Sequence, residues 1–216
     1  MKENTGFALA VLVDKITTNH TFFMREAEHF AYFRDQVLPF WKANIKNHDL
    51  RVWCAASSTG EEPYTLAMIL SDFFESQKTL WDTKVLATDI SQSALTTAKA
   101  GIYSNDRLAE IPAFWKSKYF VKHDQLNMRV TESLKHQVIY RTFNLIDDVY
   151  PFKKKMHVIF CRNVMIYFDQ KTKEVLIDKL YDLLEPGGYL FIGHSESLNR
   201  EKTAFKYIRP AVYRKI

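Results

Sequence analysis

The chain has 216 residues, 47% hydrophobic and 25% charged, which is enough for one large buried core and too apolar for a disordered chain. Its formal charge of +5 suits an acidic partner, but the basic residues are scattered and the lysines at 153–155 read as a solvated turn, so no nucleic-acid footprint is expected. No internal repeat, low-complexity tract or Pro/Gly-rich linker forces a domain boundary.

In chain order, the apolar run at 7–13 stops at Asp14 and Lys15. It is too short to span a bilayer, lacks the basic start of a signal peptide, and reads as part of an amphipathic helix. Leu50, Val52, Trp53, Cys54 and Ala55 then form a short apolar run of the kind covered on both faces. From Ala55 to Gly60 there is little side-chain bulk, so a ligand can approach the backbone. Pro63 suits a first helical turn, and Leu66, Ile69, Leu70, Phe73 and Phe74 recur at helical spacing. Cys54 and Cys161 fall in expected buried strands as small hydrophobes, and a reducing cytoplasm is the expected location.

Glu61 and Glu62 sit where the positive end of a helix dipole would otherwise hold a phosphate. Neither a G-x-G-x-x-G fingerprint nor a G-x-x-x-x-G-K-[ST] loop occurs. A ligand with hydroxyls, an amine or a positive charge fits better, and S-adenosylmethionine meets that description; the alternative is that the glutamates only cap their own helix.

Residues 84–88 read as a second strand ending at Asp89, followed by the helical SQSALTTAKA and a stopping Gly101, which makes a βαβ unit. A carboxylate there can accept hydrogen bonds from both ribose hydroxyls, although Asp89 or Ser91 serves equally well as a helix cap. Further strands are expected at 156–161 and 189–193, separated by an amphipathic helix at 171–184 that Pro186, Gly187 and Gly188 close. Segments 205–208 and 211–214 read as a terminal hairpin around Pro210. The expected fold is α/β: a mostly parallel sheet with a terminal antiparallel hairpin, its ligand at the carboxyl ends of the strands.

The segments TNHTFFMREAEHF, RVWCAASSTGEEPYTLAM, ATDIS, FNL at 143–145, FCRNVMIYFD and PGGYLFIGHSES follow one another as they do in the CheR-type chemoreceptor glutamate methyltransferases. The chain resembles that family over nearly its whole length. The resemblance implies a Rossmann-like class I methyltransferase domain that binds S-adenosylmethionine, releases S-adenosylhomocysteine and methylates glutamates in the cytoplasmic helical bundle of methyl-accepting chemotaxis receptors. By motif position, Asn19, Thr21, Arg25, Glu62, Asp89, Asn144, Leu145, Arg162 and Asn163 would line the cofactor site. Arg25 and Tyr167 would be the catalytic pair, with Tyr167 near the methyl. It also implies an N-terminal helical segment at 1–45, shorter than the family's usual helical domain, a methyltransferase domain at 46–216, and a small antiparallel β insertion around 119–140. A monomer in the cytoplasm, with no membrane insertion, is expected.

The chemistry agrees with the residues. Methyl transfer from a sulfonium to a carboxylate is an in-line displacement by a nucleophile already ionised near neutral pH, its reference pKa being about 4.3, so no general base is required. Holding oxygen, methyl and sulfur in line supplies most of the catalysis. Arg25 can orient a carboxylate by paired hydrogen bonds, either the acceptor's or the cofactor's. Tyr167 can position the methyl or face the sulfonium; the alternative is a core tyrosine among Ile166 and Phe168.

Rival chemistries are weaker. GHSES lacks the G-x-S-x-G elbow of a hydrolase, and the histidines and cysteines show no C-x-x-C or H-x-x-x-H spacing, so no metal is expected. Methyltransferases acting on nucleic-acid amines typically carry a Pro-rich tetrapeptide where this chain has Arg162-Asn163-Val164-Met165. Receptor-tail docking is not expected either, because the loop at 122–127 is short and has no glycine, unlike the family members that grip a receptor's C-terminal pentapeptide. A second class of function is a sensor or scaffold that binds S-adenosylmethionine or S-adenosylhomocysteine without turnover.

Overall fold

The computed structural model describes residues 21–77 and 79–216, so the expected helix at 7–13 and the expected ligand Asn19 lie outside the described residues. The chain enters through α1 (Ala27–Tyr32) and α2 (Leu38–Asn44), joined by a π-helical turn at Phe33–Val37. Phe30, Phe33, Val37 and Leu38 turn one buried face of this segment onto the sheet.

That sheet has seven strands. β1 (Val52–Cys54), β2 (Val85–Asp89), β6 (Val138–Thr142), β7 (Met156–Phe160) and β8 (Leu184–Phe191) run parallel. The terminal β9 (Lys206–Arg209) and β10 (Val212–Arg214) are antiparallel, giving the order β6-β2-β1-β7-β8-β10-β9. Side chains alternate across β1. Val52 and Cys54 join the core beneath the N-terminal helices, whereas Trp53 joins the one with Ile159, Leu176 and Leu180 on the other face. Burial of the Trp53 indole is satisfied by Nε1 donating to Thr88 Oγ1 at 2.9 Å.

α3 (Glu61–Phe73) follows β1, with Gly60 at its N-cap. Gly60 has φ +100°, and a Cβ there would lie 2.8 Å from that of Ala98, so a side chain is excluded twice over. α4 (Gln92–Ala100) is capped by Ser91, whose Oγ accepts from Ala94 N at 3.1 Å, and stops at Gly101 with φ 63°.

Two expectations need correction. The small antiparallel sheet does not fill 119–140. It takes β3 (Ile102–Ser104) from upstream, in the order β3-β5-β4 with β4 (Phe120–Lys122) and β5 (Asn127–Val130), and α5 (Ala113–Tyr119) packs beside β4. The apolar residues Val138 and Tyr140, at the end of that span, belong instead to β6 beside β2. The second correction concerns Pro186, Gly187 and Gly188. They do not separate α6 (Gln170–Leu183) from the next strand but form an irregularity within β8, whose register jumps from Met156↔Leu184 to Val158↔Tyr189. Gly187, at φ 82°, accommodates the kink. No described helix is long and apolar enough to cross a membrane.

Candidate active site

The carboxyl ends of β1, β2, β6 and β7 open into a cavity of about 360 Å³, where ligands bind in open α/β sheets. Ala55, Ala56 and Ser58 come from the loop after β1, Asp89 and Ile90 from the end of β2, and residues 143–146 from the loop after β6. Arg162, Asn163, Val164, Tyr167 and Phe168 follow β7, and Thr21, Phe22, Arg25 and Phe30 close the opposite side. The structure therefore gathers Thr21, Arg25, Glu62, Asp89, Asn144, Leu145, Arg162, Asn163 and Tyr167 around one cavity.

The two glutamates at the start of α3 part company. Glu61 is fully buried away from the cavity, accepts from Thr59 Oγ1 at 2.7 Å and pairs with Arg107 Nη1 at 2.9 Å. Burial raises its pKa, opposed by Thr59 and Arg107. Glu62 lines the cavity. Its Oε2 accepts from Arg162 Nη1 at 2.5 Å, and its Oε1 from the Cys54 thiol at 3.1 Å. Cys54 is thus more than the small hydrophobe expected, because it also fixes a site carboxylate; burial and then the charge of Glu62 push its thiol pKa up.

Arg162 is the hub of the floor. Its side chain is 1% exposed, Nη2 donates to Arg25 O at 2.5 Å and to Glu26 Oε2 at 3.1 Å, and the guanidinium carbon lies 5.2 Å from the Phe30 ring centre. Asn163 has a left-handed backbone, φ 56°, and donates Nδ2 to Glu26 Oε1 at 3.2 Å. The loop around it is pinned by Glu196, whose carboxylate accepts from the backbone N–H groups of Asn163 at 2.9 Å, Met165 at 2.7 Å and Gly193 at 2.6 Å.

Asp89 is 9% exposed and accepts from Ser58 N at 2.7 Å and Ser91 N at 2.9 Å. Ser91, not Asp89, caps α4, which leaves the aspartate on the cavity wall. Asn144 bonds within its own loop, donating to Asp147 Oδ1 at 2.9 Å and accepting from Ile146 N at 3.3 Å. Tyr167 ends a 3₁₀ turn and is 58% exposed at the cavity mouth, while Met165 is the buried residue of that turn. The core-tyrosine alternative is therefore set aside.

Sequence spacing did not reveal Glu26, His29, His194 or Glu196. Glu26 and Arg162 are separated by 136 positions, and no local period signals such a pair. His29, buried and 3.4 Å from Glu26 Oε2, has its pKa lowered to about 3 by burial and then by Arg162. With His194 and Glu26 it brings three metal-capable atoms within 4.8 Å of one another, but the carboxylate they share already bonds Arg162.

The residues fit S-adenosylmethionine. Phe143, Leu145, Ile146 and Ile90 offer apolar surface for an adenine, Asp89 and Glu62 offer acceptors for hydroxyls or an amine, and the glutamates at the start of α3 leave that helix end unsuited to phosphate.

Residues 19–213 match the family described as CheR methyltransferase, SAM binding domain. The chain is 43% identical to the chemotaxis protein methyltransferase of Borreliella burgdorferi, over 100% of this chain and 77% of that protein. It is 38% identical to that of Escherichia coli, over 93% and 68%. Among solved structures it is similar to the glycopeptide N-methyltransferase MtfA complexed with S-adenosylmethionine, at 17% identity and TM-score 0.37, over 74% of this chain and 48% of that one; so slight a likeness says nothing of the chemistry. The chain belongs to the CheR methyltransferase family, and it is a methyltransferase whose cofactor is S-adenosylmethionine.

Proposed function

We propose that the protein methylates glutamate side chains in the cytoplasmic helical bundle of chemoreceptors, producing glutamyl methyl esters. The observation that carries this reading is the convergence of Arg25 and Tyr167 on the one cavity that Glu62, Asp89, Arg162 and Asn163 also line. When bound, S-adenosylmethionine supplies a methyl group made electrophilic by its sulfonium.

The side chains provide position and charge. Asp89 accepts from ribose hydroxyls, and Glu62, held by Arg162 and Cys54, faces the positive end of the cofactor. Arg25 pairs with a carboxylate at the entrance, while Tyr167 at the rim directs its ring or hydroxyl toward the methyl. A glutamate acceptor is already ionised, so the site needs no general base, and closing around it removes water. Asn19, Thr21, Asn144 and Leu145 complete the cofactor's surroundings in this reading. The domain division at residue 45 is retained as part of it.

Independence from a receptor-tail pentapeptide is supported by the turn between β4 and β5. Asp124 Oδ1 accepts from the backbone N–H groups of Leu126 and Asn127, each at 2.8 Å. The loop satisfies itself.

The test is transfer of radiolabelled methyl from S-adenosylmethionine to membranes carrying the cognate receptors. Label on the receptor released as methanol by alkali is expected. Base-stable label would refute the ester, and cofactor binding without transfer to any acceptor would favour a sensor.

A further inference from the structure

Arg25 sits between two residues with left-handed backbone, Met24 at φ 62° and Glu26 at φ 58°. For residues bearing a Cβ, such conformations are strained and persist only where the surroundings enforce them. On the Met24 side the enforcing residue is Phe23, fully buried, with ring centroids of Tyr103 and Phe120 at 5.0 and 5.8 Å. On the other side it is Glu26. Its Oε1 accepts from Asn163 Nδ2 at 3.2 Å, and its Oε2 accepts from Arg162 Nη2 at 3.1 Å and from the backbone N–H of His194 at 3.2 Å. One carboxylate thus joins the loops that follow β7 and β8 to the segment carrying Arg25. Arg162 completes the clasp by donating its other Nη2 bond to the Arg25 carbonyl, at 2.5 Å.

We propose that Glu26 is a positioning residue of the methyl-transfer site: its carboxylate sets the Arg162 and Asn163 side chains and holds the strained Met24–Arg25–Glu26 turn that presents Arg25 to the cavity. This rests on the functional reading above, in which Arg25 engages a carboxylate. Glu26 lies behind the cavity wall and acts only through its neighbours. Replacing it by Gln keeps the shape and one acceptor but sets an NH₂ group against donors. One of the two carboxylate charges that Arg162 balances is lost at the same time.

The experiment is a double-mutant cycle of Glu26→Gln with Arg25→Ala. It reads the Kd of S-adenosylhomocysteine by calorimetry and kcat on receptor-bearing membranes, with melting temperature as the folding control. Glu26→Gln is expected to weaken binding and lower kcat, each by about tenfold. In the Arg25→Ala background its further effect on kcat should be less than about twofold, because both changes disable the presentation of Arg25, while the part of the binding loss that runs through Arg162 and Asn163 should persist. Glu26→Gly, which relieves the left-handed backbone, is expected to reproduce the loss with the melting temperature retained. Wild-type constants in Glu26→Gln, or losses in kcat that multiply in the double variant, would overturn the proposal. A wild-type protein that methylates no receptor would remove the acceptor reading alone, and the calorimetric cycle would still decide the role of Glu26.

Discussion

Arg162 Nη1 lies 2.5 Å from Glu62 Oε2, between side chains that are 1% and 13% exposed, so the floor of the cavity is a buried ion pair that Glu26 extends on its far side. Removing the cation would leave two carboxylates facing each other with little water. Breaking a buried pair in this way costs about 3–5 kcal/mol. Arg162→Met is therefore expected to lower unfolding free energy by that order in urea titrations and to abolish measurable cofactor binding.

Tyr167 should behave in the opposite manner. At 58% exposure its ring contributes little to the core, so Tyr167→Ala should leave the melting temperature nearly unchanged. Methyl transfer is expected to fall by about tenfold or more with the Kd of S-adenosylhomocysteine preserved, as for a group that acts mainly in the transition state. An equal loss of affinity would move Tyr167 into the binding machinery.

For Asp89, charge and shape can be separated. Asp89→Asn keeps the volume but offers only one acceptor oxygen to the N–H groups of Ser58 and Ser91. Hydrogen bonds to a charged group are worth about 1.5–3 kcal/mol each, so chemical denaturation should show a measurable loss of stability. Calorimetry should show weakened affinity for both S-adenosylmethionine and adenosine if the carboxylate meets the ribose, and for S-adenosylmethionine alone if it does not.

Gly193 tests the loop after β7 from outside the cavity. A Cβ there would stand 2.9 Å from both the backbone N and the side-chain Cγ of Asn163, inside ordinary contact distance. Gly193→Ala should displace Asn163 and the Glu196 clasp with it. A fall in cofactor affinity of about tenfold is expected, larger than any accompanying drop in melting temperature would explain.

Stability should also depend on pH through His157. Burial, and then the nearby Arg51 charge, lower its pKa to about 4, and its Nδ1 accepts from the Arg51 backbone N–H at 3.0 Å, which requires that nitrogen to be unprotonated. The unfolded chain binds a proton near pH 6.5 and the folded chain does not until about 4. Stability from this group is therefore complete above the unfolded value and declines between those limits, by up to about 1.4 kcal/mol per pH unit. His157→Gln should flatten the urea-midpoint profile in that window; an unchanged slope would refute the assignment.

The parts legible in the sequence were those with a short period or a local motif. The apolar run of β1 and the Gly60 turn are decided within a few residues and so were placed, whereas the cap of α4 was left open between Asp89 and Ser91 until the structure showed Ser91. β3 escaped because a strand of three residues, with Tyr103 buried between two half-buried neighbours, is too short for its alternation to be read. β8 was cut short because Pro186-Gly187-Gly188 is also good turn chemistry, and only the register against β7 shows the chain continuing through it. At the site, the motif residues within the described chain line one cavity, but their supports were not read. Glu26 and Glu196 reach their partners across the fold, and the Cys54 thiol meets Glu62 across the turn after β1, where propensity has nothing to say.

The helical turns that flank the small three-stranded sheet are fastened to both ends of α3. At the first turn Arg107 meets Glu61, and in the last turn Asp72 takes hydrogen bonds from Trp115 Nε1 at 2.5 Å, Lys118 Nζ at 2.8 Å and the Tyr119 hydroxyl at 2.5 Å. A helix of this length is a rod of about 20 Å, and the same rod carries Glu62 into the cavity. Held at both ends of that rod, the turns that flank the sheet fix how far it stands from the Glu62 side of the cavity, a spacing set by the fold itself.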